Sequence, residues 1–447
     1  MQVEAGIFKA YDIRGIYPGQ LDEPVARAIG RAFVTLLQPD RVVVGRDMRL
    51  ASPSLRTALV EGLTEQGADV VDIGMVSTDQ YYYACATLGL PGLMVTASHN
   101  PPEYCGFKMV RRMPYLLSGT DGIGELRALV EQEAFGPAPA QPGRVEHRDL
   151  TGGFIDKVVG LVDGGAMRPL TVVADTGNGM VGPILQQVFS RLPVRLIGMF
   201  LEPDGRVPNH GLDPMQPENR AALVARVEEE GADLGFAFDG DGDRFFIIDD
   251  RRQFVPGDFV TALLGQYLLE RSPGAPIVYD VRCSWAVRDL ISAAGGTPLI
   301  ERVGHSFLKP RMFEEKAVFA GELSGHYYFR DFFGADSGIV PALLVLEMLS
   351  RRGCRLSDLL QPLEARYFLS GEINSRVANP QAKIAALAER YGDGQVEWID
   401  GVSVSYSDWH FNVRSSNTEP LLRLNLEALD RDAMEQRRDE VLAFIRS

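Results

Sequence analysis

Asp239, Asp241 and Asp243 alternate with Gly240 and Gly242 and are followed by Arg244, between the apolar runs Leu234–Phe238 and 245–248. Glycine lets a backbone curl until side chains at i, i+2 and i+4 converge. Three carboxylates that close repel unless a cation lies among them. Hard oxygen ligands select magnesium or calcium, and Arg244 stands where a calcium-hand loop needs glycine. A second candidate is Thr96-Ala97-Ser98-His99-Asn100-Pro101-Pro102, which ends the apolar strand Leu93-Met94-Val95. Paired prolines stop helix and ladder, so this loop is expected to protrude and to expose the Ser98 hydroxyl at the end of the strand, with Lys108 close by. A plain polar turn fits the same residues. In Gly321-Glu322-Leu323-Ser324-Gly325-His326, an extended backbone would put Glu322, Ser324 and His326 on one face, suited to sugar hydroxyls, and a polar edge strand fits the same residues equally. His305 and Lys309 lie just upstream. Last, Arg414-Ser415-Ser416-Asn417-Thr418-Glu419-Pro420 collects a guanidinium, three hydroxyls and an amide, with Arg423 following. That set of donors matches a tetrahedral dianion, although a Ser/Asn-rich turn has the same composition.

The elements that must hold these loops alternate between helix and strand. Val25, Ile29, Phe33 and Leu36 share a helical face entered after Asp22, and Val42-Val43-Val44 predicts a buried strand. An apolar strand closing on aspartate occurs at Asp47, Asp175 and Asp280. A Gly-Ala-Asp phrase before a strand occurs at Gly67 and Gly231, with a looser echo at Gly295. These recurrences fit three related α/β domains, and they equally fit any α/β protein. Composition places the boundaries at 1–148, 149–255, 256–366 and 367–447. The last segment reads as α+β: a helix at 381–390, strands at 396–399 and 402–406 about an Asp400-Gly401 turn, a strand at 421–426 and a final helix from Arg431. A chain of 447 residues accommodates three or four such domains. Its formal net charge of -15 argues against nucleic acid and anionic membranes as partners. Four cysteines without metal-ligand spacing read as free thiols. No signal peptide and no membrane-spanning run is evident, so the expected location is cytoplasmic.

Taken in order, Tyr11-Asp12-Ile13-Arg14-Gly15 and the four motifs resemble the α-D-phosphohexomutase superfamily, in particular its bacterial phosphomannomutase/phosphoglucomutase branch, nearly end to end. The resemblance implies four domains around a central cleft, three similar α/β domains with mixed sheets and a distinct α+β C-terminal domain. It implies an isomerase that interconverts hexose 1-phosphate and hexose 6-phosphate through a phosphoserine and a hexose 1,6-bisphosphate. In that scheme Ser98 carries the phosphate, and Asp239, Asp241 and Asp243 hold Mg2+ with a phosphoserine oxygen. Glu322 and Ser324 bind sugar hydroxyls. Arg414, Ser416, Asn417 and Thr418 hold the phosphate that is not reacting. Tyr11, Arg14, Lys108, Arg244, His305 and His326 match further functional positions. Lys108, His326 and His99 are candidates for the general acid and base, and Arg423 adjoins the clamp. Asn417 departs from the Ser-Gly-Thr-Glu-Pro form of phosphoglucosamine mutases, and Gly325 suits dual mannose and glucose use. The alternatives are a phosphoglucosamine mutase, a non-catalytic sugar-phosphate-binding protein, which would be expected to lose Ser98 or an aspartate, and a magnesium-dependent phosphatase. The partner is a small phosphosugar, and the sequence leaves the oligomeric state open.

Overall fold

The structure, a computed structural model, describes residues 1–119, 121–415 and 421–447. It divides into two compact units, Met1–Val255 with Ser324–Cys354, and Pro256–Leu323 with Arg355–Ser447.

In the first unit, one sheet runs in the order Ile13–Ile16, Tyr104–Arg112, Gly92–Val95, Arg41–Arg46, Asp69–Met75, Val145–His147. The last four strands are parallel, and Tyr104–Arg112 is antiparallel to both of its neighbours in that order. A second sheet orders Phe254–Val255, Phe245–Ile248, Leu234–Phe238, Thr171–Asp175 and Arg195–Met199. Its last three strands are parallel and its first two antiparallel additions. The unit also holds the antiparallel pair Tyr327–Phe329 and Ala335–Asp336. In the second unit, Pro276–Asp280 lies between the parallel strands Thr297–Glu301 and Phe319–Gly321. There too, the C-terminal sheet is antiparallel throughout, in the order Phe368–Arg376, Leu421–Ala428, Trp409–Ser415, Val402–Ser405, Gln395–Glu397. It is backed by the helices Pro380–Arg390 and Arg431–Arg446, which share its apolar core.

The aspartate-closed strands are equivalent. Arg41–Arg46, Thr171–Asp175 and Pro276–Asp280 are each the middle member of a parallel trio. Each aspartate caps the turn that follows by accepting the backbone N–H two residues on: Arg49 at 3.0 Å, Gly177 at 2.9 Å and Arg282 at 2.8 Å. This is the short-range bond that lets aspartate end a strand in a turn. The Gly-Ala-Asp phrase does not mark equivalent places. At Gly67 it precedes an outer strand of its trio, and at Gly231 it precedes the strand on the opposite side of the middle one. Its glycines only end helices, with φ of +99° and +56°.

The helix predicted after Asp22 spans Glu23–Leu37, and Asp22 Oδ1 caps it through Val25 N at 3.0 Å. It packs closely against Ser52–Glu65, the helix that follows the first aspartate turn. The Asp400-Gly401 hairpin forms, with Glu397 opposite Ser403, so its connection is longer than a two-residue turn. Phe368–Arg376 and Trp409–Ser415 are strands that the sequence reading leaves unassigned. All four cysteines are free. Among the described residues, no helix is long and apolar enough to cross a membrane.

The contact between the two helices sets a test. A Cβ at Gly62 would lie 2.0 Å from the carbonyl oxygen of Arg27 on the facing helix. Backbone cannot yield as a side chain does. Gly62→Ala is expected to cost about 1–3 kcal/mol, read as a lower denaturant midpoint with an unchanged slope.

Candidate active site

The strand Gly92–Val95 is buried along its whole length, and the chain leaves it through Thr96 and Ala97 into Ser98. The loop protrudes only at its tip, where Pro101, Pro102 and Glu103 are exposed, and it does not present Ser98 as expected. Ser98 is 1% exposed and takes a left-handed backbone, φ +50°. Its amide donates to Thr96 Oγ1 at 3.0 Å, its hydroxyl to Asp239 Oδ2 at 2.8 Å, and His99 Nδ1 lies 3.1 Å from the same hydroxyl.

The cause of this burial is a residue absent from the sequence reading. Arg49, 1% exposed, donates from Nη1 to the carbonyls of Pro101 at 2.7 Å and Tyr104 at 3.0 Å. Its Nη2 donates to those of Ser98 at 2.8 Å and Asn100 at 2.6 Å. Asp47 balances the charge, with Oδ2 3.2 Å from Arg49 Nε, and Oδ1 accepts from Ser52 Oγ at 2.5 Å. The guanidinium thus turns the loop inward over the end of its own sheet.

The aspartate loop leaves Leu234–Phe238 and returns in Phe245–Ile248. Asp239 Oδ1 accepts the amides of Gly242 and Arg244, both at 3.2 Å. Gly242 has φ +80°, the curl expected of it. Gly240 is required for another reason: a Cβ there would sit 2.6 Å from the Ser98 carbonyl. Asp239, Asp241 and Asp243 are 0%, 0% and 1% exposed. One carboxylate oxygen from each lies within 4.8 Å of the others. Asp241 Oδ2 accepts from Thr78 Oγ1 at 2.7 Å and Lys108 Nζ at 2.7 Å, and Lys108 also bonds Asp243. Among the described residues, Asp241 Oδ1 and Asp243 Oδ1 are buried without a hydrogen bond. Burial together with Asp241 and Asp243 pushes the Asp239 carboxyl well above the usual range, against Arg244 and Lys108. Burial also raises Asp243, but Lys108, His326 and Arg244 outweigh it and hold that carboxyl well below. One lysine therefore does not satisfy three carboxylates. Buried, oxygen-only and under-balanced, the group suits a hard divalent cation.

The other predicted residues of this unit surround that group. Burial lowers the Lys108 ammonium, yet Asp241 and Asp243 more than compensate, so it is held charged. Burial, then Arg244, Arg14 and His326, hold the His99 imidazolium well below its ordinary range, so the ring is neutral at pH 7. Arg244 Nε lies 3.7 Å from Asp239 Oδ2 and donates to His326 Nε2 at 3.2 Å. His326 Nδ1 meets Ser324 Oγ at 3.0 Å. Arg14 pairs with Asp12 at 2.7 Å and bonds the Asn100 side chain. Tyr11 is half-buried just before Ile13–Ile16.

Glu322 belongs to the second unit and Ser324 and His326 to the first. The backbone there is not extended: a turn at 323–324 and Gly325 at φ +84° break the alternation. The period-two argument for one shared face fails for that reason. Glu322 is 2% exposed; its Oε2 accepts from Gly304 N at 3.2 Å and lies 3.6 Å from Arg282 Nη2. His305 opens the helix His305–Glu314 directly after Gly304, so Glu322 and the His305 loop do meet. Lys309 is fully buried in that helix. In the C-terminal sheet Arg414 and Arg423 both bond Glu372 at 3.0 Å. Ser416, Asn417 and Thr418 lie outside the described residues. Arg49 and Arg282 had a legible signal, since each stands two residues after a strand-closing aspartate. Glu372 had none.

Four family models match the chain in order: phosphoglucomutase/phosphomannomutase alpha/beta/alpha domain I over residues 5–135, domain II over 153–253, domain III over 256–367 and the C-terminal domain over 372–444. A phosphomannomutase of Salmonella montevideo is 42% identical, covering 98% of this chain and 99% of its own. A protein of Xanthomonas campestris pv. campestris described as "Phosphohexose mutases" is 41% identical, with coverage of 98% and 99%. The crystal structure of a phosphoglucomutase/phosphomannomutase family protein from Burkholderia thailandensis superposes with a TM-score of 0.91 at 37% identity, covering 99% of this chain and 98% of that one.

Arg49 supplies the prediction of this site. Arg49→Met strands four carbonyls and the Asp47 carboxylate in the interior, which is expected to cost about 3–5 kcal/mol. Arg49→Lys keeps the charge but not the planar fork. It is expected to stay folded by circular dichroism and to lower kcat more than it raises KM, because it loosens the loop that carries Ser98.

Proposed function

The chain belongs to the phosphoglucomutase/phosphomannomutase family and is a phosphohexose mutase, an isomerase that moves a phosphoryl group; from this premise we propose that it works through a phosphoserine at Ser98. In this reading hexose 1-phosphate and hexose 6-phosphate interconvert by way of a hexose 1,6-bisphosphate. Mannose is the main sugar and glucose a second, in keeping with the names of the relatives. The observation that carries the reading is the Ser98 hydroxyl held 2.8 Å from Asp239 inside a group of three buried carboxylates. A hydroxyl in that position has a site for charge compensation at the atom that would bear the phosphate.

The residues divide the work. Asp239, Asp241 and Asp243 would hold magnesium, with an oxygen of phosphorylated Ser98 completing the set. Bound there, the ion supplies positive charge against the phosphoryl oxygens, which is most of what phosphoryl transfer requires. Arg244 and Arg14 add fixed cations beside the loop. The neutral His99, 3.1 Å from Ser98 Oγ, and His326 are suited to carrying the proton that Ser98 takes up on leaving or that the sugar hydroxyl gives up. Lys108, held as an ammonium between two carboxylates, is suited to supplying fixed positive charge rather than to moving a proton. Glu322 and Ser324 would read sugar hydroxyls, aided by Tyr11 and His305. Arg414, with Ser416, Asn417, Thr418 and Arg423, would clamp the phosphate not in transfer. The division 1–148, 149–255, 256–366 and 367–447 then gives each domain one part: phosphoserine, metal, sugar and clamp. A cytoplasmic location, where phosphosugars are made and used, accords with this reading.

Two outcomes test it. Intact-mass analysis of active enzyme is expected to show one phosphoryl group, mapped to the peptide bearing Ser98 and absent from Ser98→Ala. That variant is expected to lose mutase activity to background; full activity would refute the phosphoserine. The second test concerns the metal. Because burial and the neighbouring carboxylates push the Asp239 carboxyl upward, holding it ionised without a metal costs the native state stability. Asp239→Asn is expected to melt at least as high as wild type in chelator. Added magnesium should stabilise wild type and leave the variant nearly unmoved, and activity should fall together with metal affinity by about 10–150-fold.

A further inference from the structure

Arg414 and Arg423 are directly opposite each other on antiparallel strands. Like charges so placed repel. Glu372, on the adjoining strand Phe368–Arg376, resolves the conflict. Its Oε2 accepts from Arg414 Nη2 and its Oε1 from Arg423 Nη1, each at 3.0 Å. A register shift between Leu369 and Glu372, with Gly371 at φ +68°, aims the side chain at the pair, as bulges do. Arg282 Nη1 lies 3.5 Å from Glu372 as well, but Asp280 already balances that guanidinium at 2.7 Å. The local sum is two clamp arginines against one carboxylate. Burial raises the Glu372 carboxyl, and Arg282, Arg414 and Arg423 outweigh it, so the group stays ionised. Among the described residues, the Nε atoms of Arg414 and Arg423 are buried without hydrogen bonds. Each guanidinium thus keeps a donor in reserve while sharing another with Glu372.

A carboxylate that bridges two guanidinium groups uses the donors that two phosphate oxygens would use. Resting on the reading of Arg414 as a phosphate clamp, we propose that Glu372 is the clamp's internal anion, a positioning residue that holds Arg414 and Arg423 ready and competes with bound phosphate for them. The competition matters in this reaction. A bisphosphate must release one phosphate from the clamp and present the other, and two uncompensated arginines in a largely buried site would hold a dianion too firmly for that exchange. Glu372 keeps the guanidinium pair aligned when no phosphate is bound and repels the phosphate when it is.

The test is a titration of inorganic phosphate against folded protein, by calorimetry or by the thermal shift it induces, with steady-state kinetics in both directions. Glu372→Gln removes the charge and keeps the shape. It is expected to bind phosphate about tenfold or more tightly, to lower KM for both hexose phosphates and to lower kcat with it, since departure slows. Glu372→Asp, which keeps the charge, is expected to resemble wild type. A carboxylate that merely propped up the fold would give the opposite sign, weaker phosphate binding and a higher KM. Unchanged or weaker binding in Glu372→Gln overturns the proposal. Glu372→Ala is the second variant. It is read only if Glu372→Gln does not fold: tightening then supports the internal anion, unchanged or weaker binding overturns it, and failure of both to fold makes Glu372 a folding element and overturns it. Arg414→Ala separates this proposal from the clamp itself. If that variant binds phosphate as wild type does, the clamp reading fails and the proposal falls with it. If it binds more weakly while Glu372→Gln does not tighten, only the role of Glu372 is lost.

Discussion

Three buried carboxylates share a space a few ångströms across, with Lys108 bonded to two of them and Arg244 3.7 Å from the third, and much of the first unit is arranged around that cluster of negative charge. Coulomb repulsion in a low-dielectric interior is steep, so each oxygen that can be satisfied is satisfied. Asp239 takes two amides of its own loop, and Asp241 takes Thr78 and Lys108. Among the described residues, Asp241 Oδ1 and Asp243 Oδ1 are left without a hydrogen bond.

The same constraint dictates where small residues must stand. Gly240 lets the backbone of the aspartate loop approach the Ser98 carbonyl, which a Cβ would block. Ser98 in turn reaches Asp239 only because Arg49 draws four loop carbonyls inward. Two sheets of the unit therefore meet at their strand ends through the Ser98 hydroxyl on Asp239 and through Lys108 on Asp241 and Asp243. The aspartate at the end of a middle strand recurs in all three trios, with its charge managed differently each time. Arg49 and Arg282 answer it in the first and third. In the second, Gly177 stands at the equivalent place and His210 Nε2 meets Asp175 at 3.0 Å. Asp175 raises that imidazole despite its burial.

The second unit handles the opposite charge in the same way. A chain with a formal net charge of -15 gathers Arg282, Arg414 and Arg423 around Glu372. Net charge says little about such a site, because a few ångströms of buried geometry outweigh charges spread over a solvated surface. Carboxylates gather around a lysine in one unit, and arginines around a carboxylate in the other. Both arrangements leave donors or acceptors unspent, as sites for a charged ligand do.

Local chemistry was legible in the sequence. The alternation of aspartate and glycine, the serine after an apolar strand and the arginine before a hydroxyl-rich loop identify themselves by residue type and spacing, since convergence of near neighbours depends only on short-range backbone geometry. The strand-closing aspartates were legible for the same reason, because their bonds reach two residues. Non-local packing was not legible. Pro101 and Pro102 are exposed as a protruding loop would have them, but Ser98 before them is buried, its carbonyl held by Arg49 some fifty residues away. Glu322, Ser324 and His326 read as one face of a strand until Gly325 turned the chain. Phe368–Arg376 escaped notice because a bulge interrupts its alternation, and the meaning of Glu372 lies in that bulge and in partners 42 and 51 residues downstream. The sequence by itself determined which groups could do chemistry. The tertiary structure alone decided which of them are buried, which face each other and which share a partner, because burial and long-range electrostatics belong to the packed chain and to no segment of it.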